Sequence, residues 1–182
     1  MDLRLNDDNR TRQFEAAALP HLDAAYNLAR WLTRNDQDAQ DLVQMAFVRA
    51  FRFFDGFHGG DARAWLLTIV RNTYFSALRD RRREDGDVGF DEALHSDTSL
   101  PNNPATLFET RDAGRVVHQA LDRLPRVFRE IVMLKEIEDL SYKEIAEVVG
   151  IPIGTVMSRL ARGRKLLADY LHEYASGEVH GL

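Results

Sequence analysis

The strongest constraint on the fold lies at residues 141–171, which read SYKEIAEVVGIPIGTVMSRLARGRKLLADYL. Ser141 and Glu144 have the spacing of a capping box, in which each side chain accepts a hydrogen bond from the other residue's backbone amide at a helix start. Gly150 permits the left-handed backbone that ends a helix, and Thr155 is placed to cap a second helix. This pattern predicts a helix-turn-helix, whose second helix enters the major groove of DNA.

The second of these helices is amphipathic. Its apolar side carries Val156, Leu160, Gly163, Leu167 and Leu171, and its opposite side carries Ser158, Ala161, Arg162 and Lys165. Residues 151–167 hold four basic residues and no acidic one, although the chain has a net charge of −5. The outer face would read base edges while Arg159 and Arg164 at its margins hold phosphates. The alternative is a helical hairpin with a solvated Arg-rich face; the two caps and the glycine turn together favour DNA binding.

An acidic segment divides the chain in two. Residues 84–112 contain eight acidic residues and one basic residue, mixed with Gly, Ser, Asn and Pro without a sustained period. This composition is typical of a flexible linker. Both flanking regions have helical periodicity, with a helix start expected at Pro125. Another helix start is expected at Asn103-Pro104, near the end of the acidic segment. The sequence therefore predicts an all-α protein with two small helical domains, 1–83 and 113–182, joined by a flexible acidic linker at 84–112.

A second basic stretch, residues 63–83, contains six basic residues and one acidic residue. Read as a helix, it has an apolar stripe of Trp65, Leu66, Ile69, Val70, Thr73 and Ala77, and an opposite side with Arg71, Asn72, Phe75, Arg79 and Arg82. An exposed Phe75 among arginines would suit unstacked single-stranded bases, since every base has a π-face and every nucleotide a phosphate. The alternative is that Phe75 is buried against the helix containing RWLTRN at 30–35.

Two features precede this helix. The loop DGFHGGD at 55–61, with Phe57 and His58, would receive a flipped base or would serve only as a connector. Before it, Asp36 is placed to cap a helix whose apolar residues are Ala39, Val43, Ala46, Phe47, Ala50 and Phe54. The other side of that helix includes Asp38, Asp41, Gln44 and Met45, and it suits either a protein partner or plain solvation.

Composition excludes several classes of protein. The chain has no Cys, which excludes disulfides, thiolate zinc sites and cysteine nucleophiles, and its six His lack metal-ligand spacing. No nucleotide-binding glycine motif occurs, so no cofactor, metal or enzymatic activity is expected. No apolar run approaches the roughly 18 residues of a membrane span, and no secretory signal is evident. A cytoplasmic location is therefore expected.

Three segments in order identify a resemblance: DAQDLVQMAFVRAFRFF, RAWLLTIVRNTYFSALRDRRR and LDRLPRVFREIVMLKEIEDLSYKEIAEVVGIPIGTVMSRLARGRKLL. Over most of residues 12–172 the chain resembles bacterial sigma factors of the extracytoplasmic-function (ECF) group. The resemblance implies two helical domains without a catalytic site, which bind core RNA polymerase through its β′ clamp coiled coil and β flap. It also implies binding to promoter DNA and control by an anti-sigma factor.

The resemblance assigns roles to matching positions. Asp41 and Gln44 match the motif that docks on the β′ clamp, the loop 55–61 matches the one that captures a flipped −10 base, and Asn72 and Arg79 match the helix facing that element. Met157, Ser158, Ala161 and Arg162 match positions that read the −35 element. Two departures, Ser76 where many members carry Asp and Met157 where Arg or Lys is frequent, leave the promoter sequence open.

Pattern and resemblance together predict three sites. The −35 contacts are Thr155, Met157, Ser158, Arg159, Ala161, Arg162 and Lys165; the −10 contacts are Phe57, His58, Arg71, Asn72, Phe75, Arg79 and Arg82; and the polymerase contacts are Asp38, Asp41, Gln44 and Met45. The function predicted is that of a sigma factor that directs promoter recognition, strand opening and transcription initiation. The alternative is a two-domain repressor or activator that binds an operator as a dimer.

Overall fold

The computed structural model describes residues 2–84 and 112–176, with side chains at 8–83 and 114–176. The described residues form helices and turns without a β-strand, which confirms the all-α prediction for that part of the chain. Two compact units are present, an N-terminal unit of residues 2–84 and a C-terminal unit that takes in most of 112–176. The linker prediction, apart from its two ends, and the helix start at Asn103-Pro104 lie outside the described residues.

The N-terminal unit consists of four helices: α1 (Asp2–Ala18), α2 (Leu22–Thr33), α3 (Asp36–Phe53) and α4 (Ala62–Glu84), with single 3-10 turns at Leu19–His21 and Phe54–Gly56. Helices α2, α3 and α4 pack pairwise, and α1 lies against α3 and α4. The fully buried side chains of this unit include Leu28, Leu66, Leu67 and Val70. Their burial supplies the main stabilisation of this unit.

Helix α3 begins one residue earlier than the predicted cap implies. Asn35, not Asp36, is the N-cap, and its side chain accepts a hydrogen bond of 3.0 Å from the Asp38 amide. Asp36 cannot serve as cap because its carboxylate pairs with Arg30 of α2 and accepts a bond from the Tyr26 hydroxyl. In the first turn of α3, the Asp36 carboxylate still interacts favourably with the helix dipole.

The C-terminal unit contains α5 (Asp112–Arg123), α6 (Arg126–Val132), α7 (Tyr142–Val149) and α8 (Ile153–Ala175), with a π-helical turn at Met133–Ile137 continuing α6. Pro125 is the N-cap of α6, as predicted. Helices α5 and α6 pack against α8. Fully buried residues here include Leu124, Ile131, Leu134, Ile145 and Val156.

Both ends of α7 follow the predicted chemistry. The Ser141 amide donates to Glu144 at 2.6 Å, and the Glu144 amide donates to the Ser141 hydroxyl at 3.2 Å, which completes the capping box. Gly150 has a φ of +73°, and the Ile151 amide donates to the Ala146 carbonyl at 3.1 Å. A left-handed glycine with this backbone bond ends α7 in a Schellman motif.

The start of α8 corrects the prediction that Thr155 is its cap. Pro152 is the N-cap, and its carbonyl accepts bonds from the amides of Thr155 and Val156 at 2.9 and 3.1 Å. The helix therefore begins at Ile153, because the extended backbone of Pro152 already orients this carbonyl along the helix axis. Thr155 therefore lies within the first turn of α8 and is not its N-cap.

Candidate nucleic-acid interface

The outer face of α8 lies where its period predicts. Ser158, Ala161, Arg162 and Lys165 are exposed, whereas Val156, Leu160 and Gly163 on the opposite side are buried. The Ser158 hydroxyl donates to the Thr155 carbonyl at 3.1 Å, and among the described residues Arg162 and Lys165 form no ion pair. A regular helix thus presents two unpaired cations and two small residues, a surface that can approach a DNA groove closely.

Met157 lies on this outer face, although the helical period alone places it near the buried side. Its side chain is 52% exposed, and Ile153 one turn earlier is 46% exposed. The buried arc of α8 is narrow because only Val156, Leu160 and Gly163 are buried along its length. Met157 is therefore accessible to a DNA base, as the family resemblance implies.

The two marginal arginines of α8 differ. Arg159 is half-buried. Arg164 donates from Nε at 2.8 Å and from Nη2 at 2.6 Å to Oε1 of Glu136, in the π-helical turn. These hydrogen bonds to the Glu136 carboxylate raise the pKa of the Arg164 guanidinium. Arg164 therefore ties α8 to the segment after α6, and a phosphate would have to compete with Glu136 for it.

On α4, the predicted DNA-facing residues are divided between exposed and packed positions. Asn72 and Arg79 are exposed, and Arg79 Nη2 donates to the Ser76 hydroxyl at 3.3 Å. Arg71 and Arg82 are half-buried. Asn72 and Arg79 lie seven residues apart, which is two helical turns, so they share one side of α4.

The prediction that Phe75 is exposed is wrong. Its side chain is only 8% exposed, with the Arg71 guanidinium 4.5 Å from its ring centre and the Tyr74 ring edge-on at 5.2 Å. The cause is that α4 packs against both α2 and α3, so it buries a wider arc than the single apolar stripe; Ala64 and Leu67 are buried for the same reason. Phe75 therefore supports the core, and direct stacking on a base would require it to leave the core.

The loop 55–61 is a packed aromatic turn followed by an exposed tip. Phe57 is half-buried, with its ring stacked on Phe54 at 6.1 Å and 4.8 Å from the ring of Trp65. His58 is exposed, and Gly59 and Gly60 have φ values of +91° and +107°. Only glycine adopts this backbone without strain. The tip is therefore open, while its base is held by aromatic packing.

The predicted polymerase-contacting residues share the exposed side of α3. Asp38, Asp41, Gln44 and Met45 are all exposed, and Ala39, Val43, Ala46 and Ala50 on the other side are buried. Asp41 accepts a bond of 3.4 Å from the Gln37 side chain. Met45 is 47% exposed and Val48, one turn further, is 56% exposed. An exposed apolar pair next to carboxylates is a surface suited to a protein partner.

The sequence patterns did not identify two residues of α1, Arg10 and Phe14, as part of a site. Arg10 bonds to Asp55 and to the Phe51 carbonyl, and Phe14 packs edge-on against Phe51 and Phe54 at 5.2 and 5.4 Å. The four-residue steps from Arg10 to Phe14 and Ala18 do mark one face of α1. Nothing in the sequence connects that face with a loop more than 40 residues away.

Both helical units match known families. The family model described as Sigma-70 region 2 matches residues 18–84, and the one described as Sigma-70, region 4 matches residues 114–167. The chain is 38% identical over 159 residues to "ECF RNA polymerase sigma factor SigE" of Mycolicibacterium smegmatis, a match that covers 86% of this chain and 60% of that protein. The chain therefore spans less than two thirds of the length of this relative.

Two further comparisons cover more of the matched protein. The "ECF RNA polymerase sigma-E factor" of Escherichia coli K12 is 36% identical over 137 residues, covering 71% of this chain and 72% of the relative. Among solved structures, the sigma factor RpoE of Bartonella quintana, in complex with the anti-sigma factor NepR, matches with a TM-score of 0.70 and 31% identity. That match covers 88% of this chain and 98% of the RpoE chain.

In the part of the present chain that the structure describes, no helix is long and apolar enough to cross a membrane.

Proposed function

Because the chain belongs to the ECF group of RNA polymerase sigma factors, we propose that it binds core RNA polymerase in the cytoplasm and directs it to promoters as a specificity factor without enzymatic activity of its own. The domain of residues 1–83 binds polymerase and the −10 element, and the domain of residues 113–182 binds the −35 element. The outer face of α8 is the observation that carries this proposal.

The two DNA-contacting surfaces bind different promoter elements. On α8, Ser158, Ala161 and Arg162 read base edges while Arg159 and Lys165 hold phosphates, with Thr155 and Met157 at the start of the same face. On the N-terminal domain, His58 and Phe57 receive a flipped base, and Asn72, Arg79, Arg71 and Arg82 follow the opened strand. Phe75 contributes to this surface by supporting α4 from the core.

Binding to polymerase makes these two weak surfaces effective. The net charge of −5 repels DNA phosphate at long range, and each surface alone makes few phosphate contacts. Docking through Asp38, Asp41, Gln44 and Met45 on the β′ clamp, with the C-terminal domain on the β flap, holds both surfaces near one promoter. The second contact then forms at a high effective concentration.

An inhibitory partner is the second part of the proposal. The Bartonella quintana relative was solved with an anti-sigma factor, and we propose that this chain is likewise held inactive by a protein that covers its polymerase-binding surface. The exposed apolar pair of Met45 and Val48 on α3 offers such a partner a contact area. Release of the inhibitor then allows polymerase to bind the same surface.

Run-off transcription with added core polymerase tests the function. We expect transcription from a cognate promoter only when the chain and core are both present, and little promoter-specific DNA binding by the chain alone. Asp41→Ala should lower the affinity for core about 10- to 100-fold, as expected for the loss of one or two hydrogen bonds to a charged group. Asp23→Ala on α2, which removes another exposed carboxylate, is the matched control and should bind core normally.

The same experiments distinguish a sigma factor from the alternative function, a dimeric repressor or activator. A dimeric repressor or activator would bind an operator tightly and specifically as the isolated chain, and added core would not be required. Tight specific binding without core, together with normal core affinity of Asp41→Ala, would contradict the sigma-factor proposal.

A further inference from the structure

Helix α1 is bonded to the start of the candidate base-capture loop. Arg10 Nε donates to Oδ1 of Asp55 at 2.7 Å, and Arg10 Nη2 donates to the Phe51 carbonyl at 2.8 Å. The same guanidinium lies 4.5 Å from the ring centre of Phe51. Arg10 lies before residue 18, where the match to the region 2 family model begins.

A series of aromatic contacts follows the same route. Phe14, one turn after Arg10, packs edge-on against Phe54 at 5.4 Å. Phe54 stacks on Phe57 at 6.1 Å, and Phe57 lies 4.8 Å from Trp65 on α4. Since Phe57 belongs to the loop and Trp65 to the helix after it, the position of α1 affects both sides of the loop tip.

The loop is thus fixed at both ends and open in the middle. At its far end, Oδ1 of Asp61 accepts bonds from the amides of Arg63 and Ala64 at 2.8 and 3.1 Å, which caps α4. At its near end, the contacts of Arg10 hold Asp55 and the last turn of α3. Between these two anchors, His58, Gly59 and Gly60 are exposed at the tip, and two glycines carry a large entropic cost when a ligand orders them.

An exposed Arg–Asp pair by itself adds little to stability, and Asp55 is 75% exposed at its side chain. The pair is better explained by position than by stability, because one guanidinium makes three contacts within a five-residue segment. Fixing the ends of a binding loop in its bound geometry improves affinity by reducing the ordering cost.

We propose that Arg10 is a positioning residue that preorganises the loop 55–61 for capture of an unpaired base. The inference rests on the proposed function, since it requires that this loop binds a base of the −10 element. Loss of Arg10 leaves Asp55 and the start of the loop free to move. The loop then has to be ordered by the base itself, and capture weakens.

The test measures how much one base contributes to binding. Polymerase carrying this chain is bound to a fork-junction promoter, and each non-template base of the −10 element is replaced in turn by an abasic site. For the wild-type chain, the abasic site at the captured position should lower affinity about 10- to 100-fold, the usual worth of one stacked base. For Arg10→Ala, that penalty should shrink to about threefold or less, because the intact base is no longer captured well.

Two further variants make the result specific. Asp55→Asn removes only the ion pair from an exposed position and should give an intermediate penalty, which keeps the test valid if Arg10→Ala fails to fold. Arg12→Ala removes the same charge from an exposed site on the same helix and should keep the wild-type penalty. A purely structural defect would lower affinity equally for intact and abasic DNA, and so would leave the penalty unchanged.

Failure of the role proposed for Arg10 and failure of base capture by the loop give different results. A full abasic penalty in both Arg10→Ala and Asp55→Asn would overturn the role of Arg10 while leaving base capture intact. The absence of any abasic penalty for the wild-type chain would overturn base capture by the loop, and the role of Arg10 with it, without affecting −35 recognition by α8.

Discussion

The outer face of α8 and the loop 55–61 reach exposure by different means. On α8, Ser158, Ala161 and Arg162 are exposed because a regular helix buries only a narrow arc. In the loop, His58 is exposed at the tip of a turn whose base is packed by Phe54, Phe57 and Trp65. The first surface is set by local periodicity, and the second by contacts between residues far apart in sequence.

The difference has a consequence for how each surface tolerates change. Substituting an outward residue of α8 removes one contact and leaves the helix in place, so its effect should be confined to DNA. Substituting a residue around the loop or on α4 disturbs packing shared by α1, α3 and α4, so its effect should appear in stability as well as in function.

The largest effect is expected at Phe75, where the N-terminal surface meets the core. Phe75→Ala removes a ring that is 8% exposed and should destabilise the N-terminal unit by about 3–5 kcal/mol, the range measured for buried Phe. Both tryptophans, Trp31 and Trp65, belong to this unit, so tryptophan fluorescence during urea unfolding reports on it alone.

The matched control is Phe53→Ala at the end of α3. Phe53 is 63% exposed, and its removal should change the free energy of unfolding by less than about 0.5 kcal/mol. An unchanged urea midpoint for Phe75→Ala combined with impaired promoter opening would instead show that Phe75 acts by stacking on a base, and the contrast between the two surfaces would be lost.

The sequence was sufficient for features that depend on neighbours along the chain. The capping box of Ser141 and Glu144, the left-handed Gly150 and the outward side of α8 could all be predicted, because each follows from local hydrogen bonding or helical period. Phe75 could not be placed, because the arc that α4 buries is decided by how many helices pack on it. The hydrogen bond from Arg10 to Asp55 could not be predicted either, because it joins residues far apart in the sequence.

The caps of α3 and α8 show a middle case. A helix start was expected in each region, but the capping residue was wrong by one position at Asp36 and by three at Thr155. Asn35 and Pro152 compete with them, and the choice depends on other contacts, such as the pair between Asp36 and Arg30. Side-chain chemistry therefore predicts that a helix begins, and tertiary contacts select the residue.

An intermediate effect is expected at Arg162, on the surface set by periodicity. Arg162→Ala should weaken binding of the polymerase complex to the cognate −35 element by about 1–3 kcal/mol, the worth of one bidentate base contact. Its effect on random DNA should be much smaller. Competition binding with both DNAs at fixed salt measures the difference.

Arg164→Ala is the matched control on the same helix. Its guanidinium is bonded to Glu136, so its loss should affect cognate and random DNA alike. Equal losses on both DNAs for Arg162→Ala would mean that Arg162 touches phosphate only, and sequence reading would then have to come from Met157, Ser158 or Ala161.

The smallest effect is expected at Gly163, which decides how closely α8 packs on α6. A Cβ at this position would lie 2.8 Å from Cγ2 of Val132 and 3.3 Å from Cβ of Phe128. Val132 is buried and has a stiff β-branched side chain, so the clash cannot be relieved by rotation alone. Overpacking costs about 1–3 kcal/mol, and the better helix propensity of Ala returns about 1 kcal/mol. Gly163→Ala should therefore destabilise the C-terminal unit by about 1 kcal/mol.

Gly154→Ala in the first turn of α8 should have the opposite sign. A Cβ there would meet nothing within 4 Å, so only the gain in helix propensity remains, up to about 1 kcal/mol. Hydrogen exchange of α6 and α8 amides in the intact chain reads both variants, with less protection expected for Gly163→Ala and equal or greater protection for Gly154→Ala. Equal protection in the two variants would show that α8 is not held by close contact at Gly163, and the orientation of its outer face would then depend on the bond between Arg164 and Glu136.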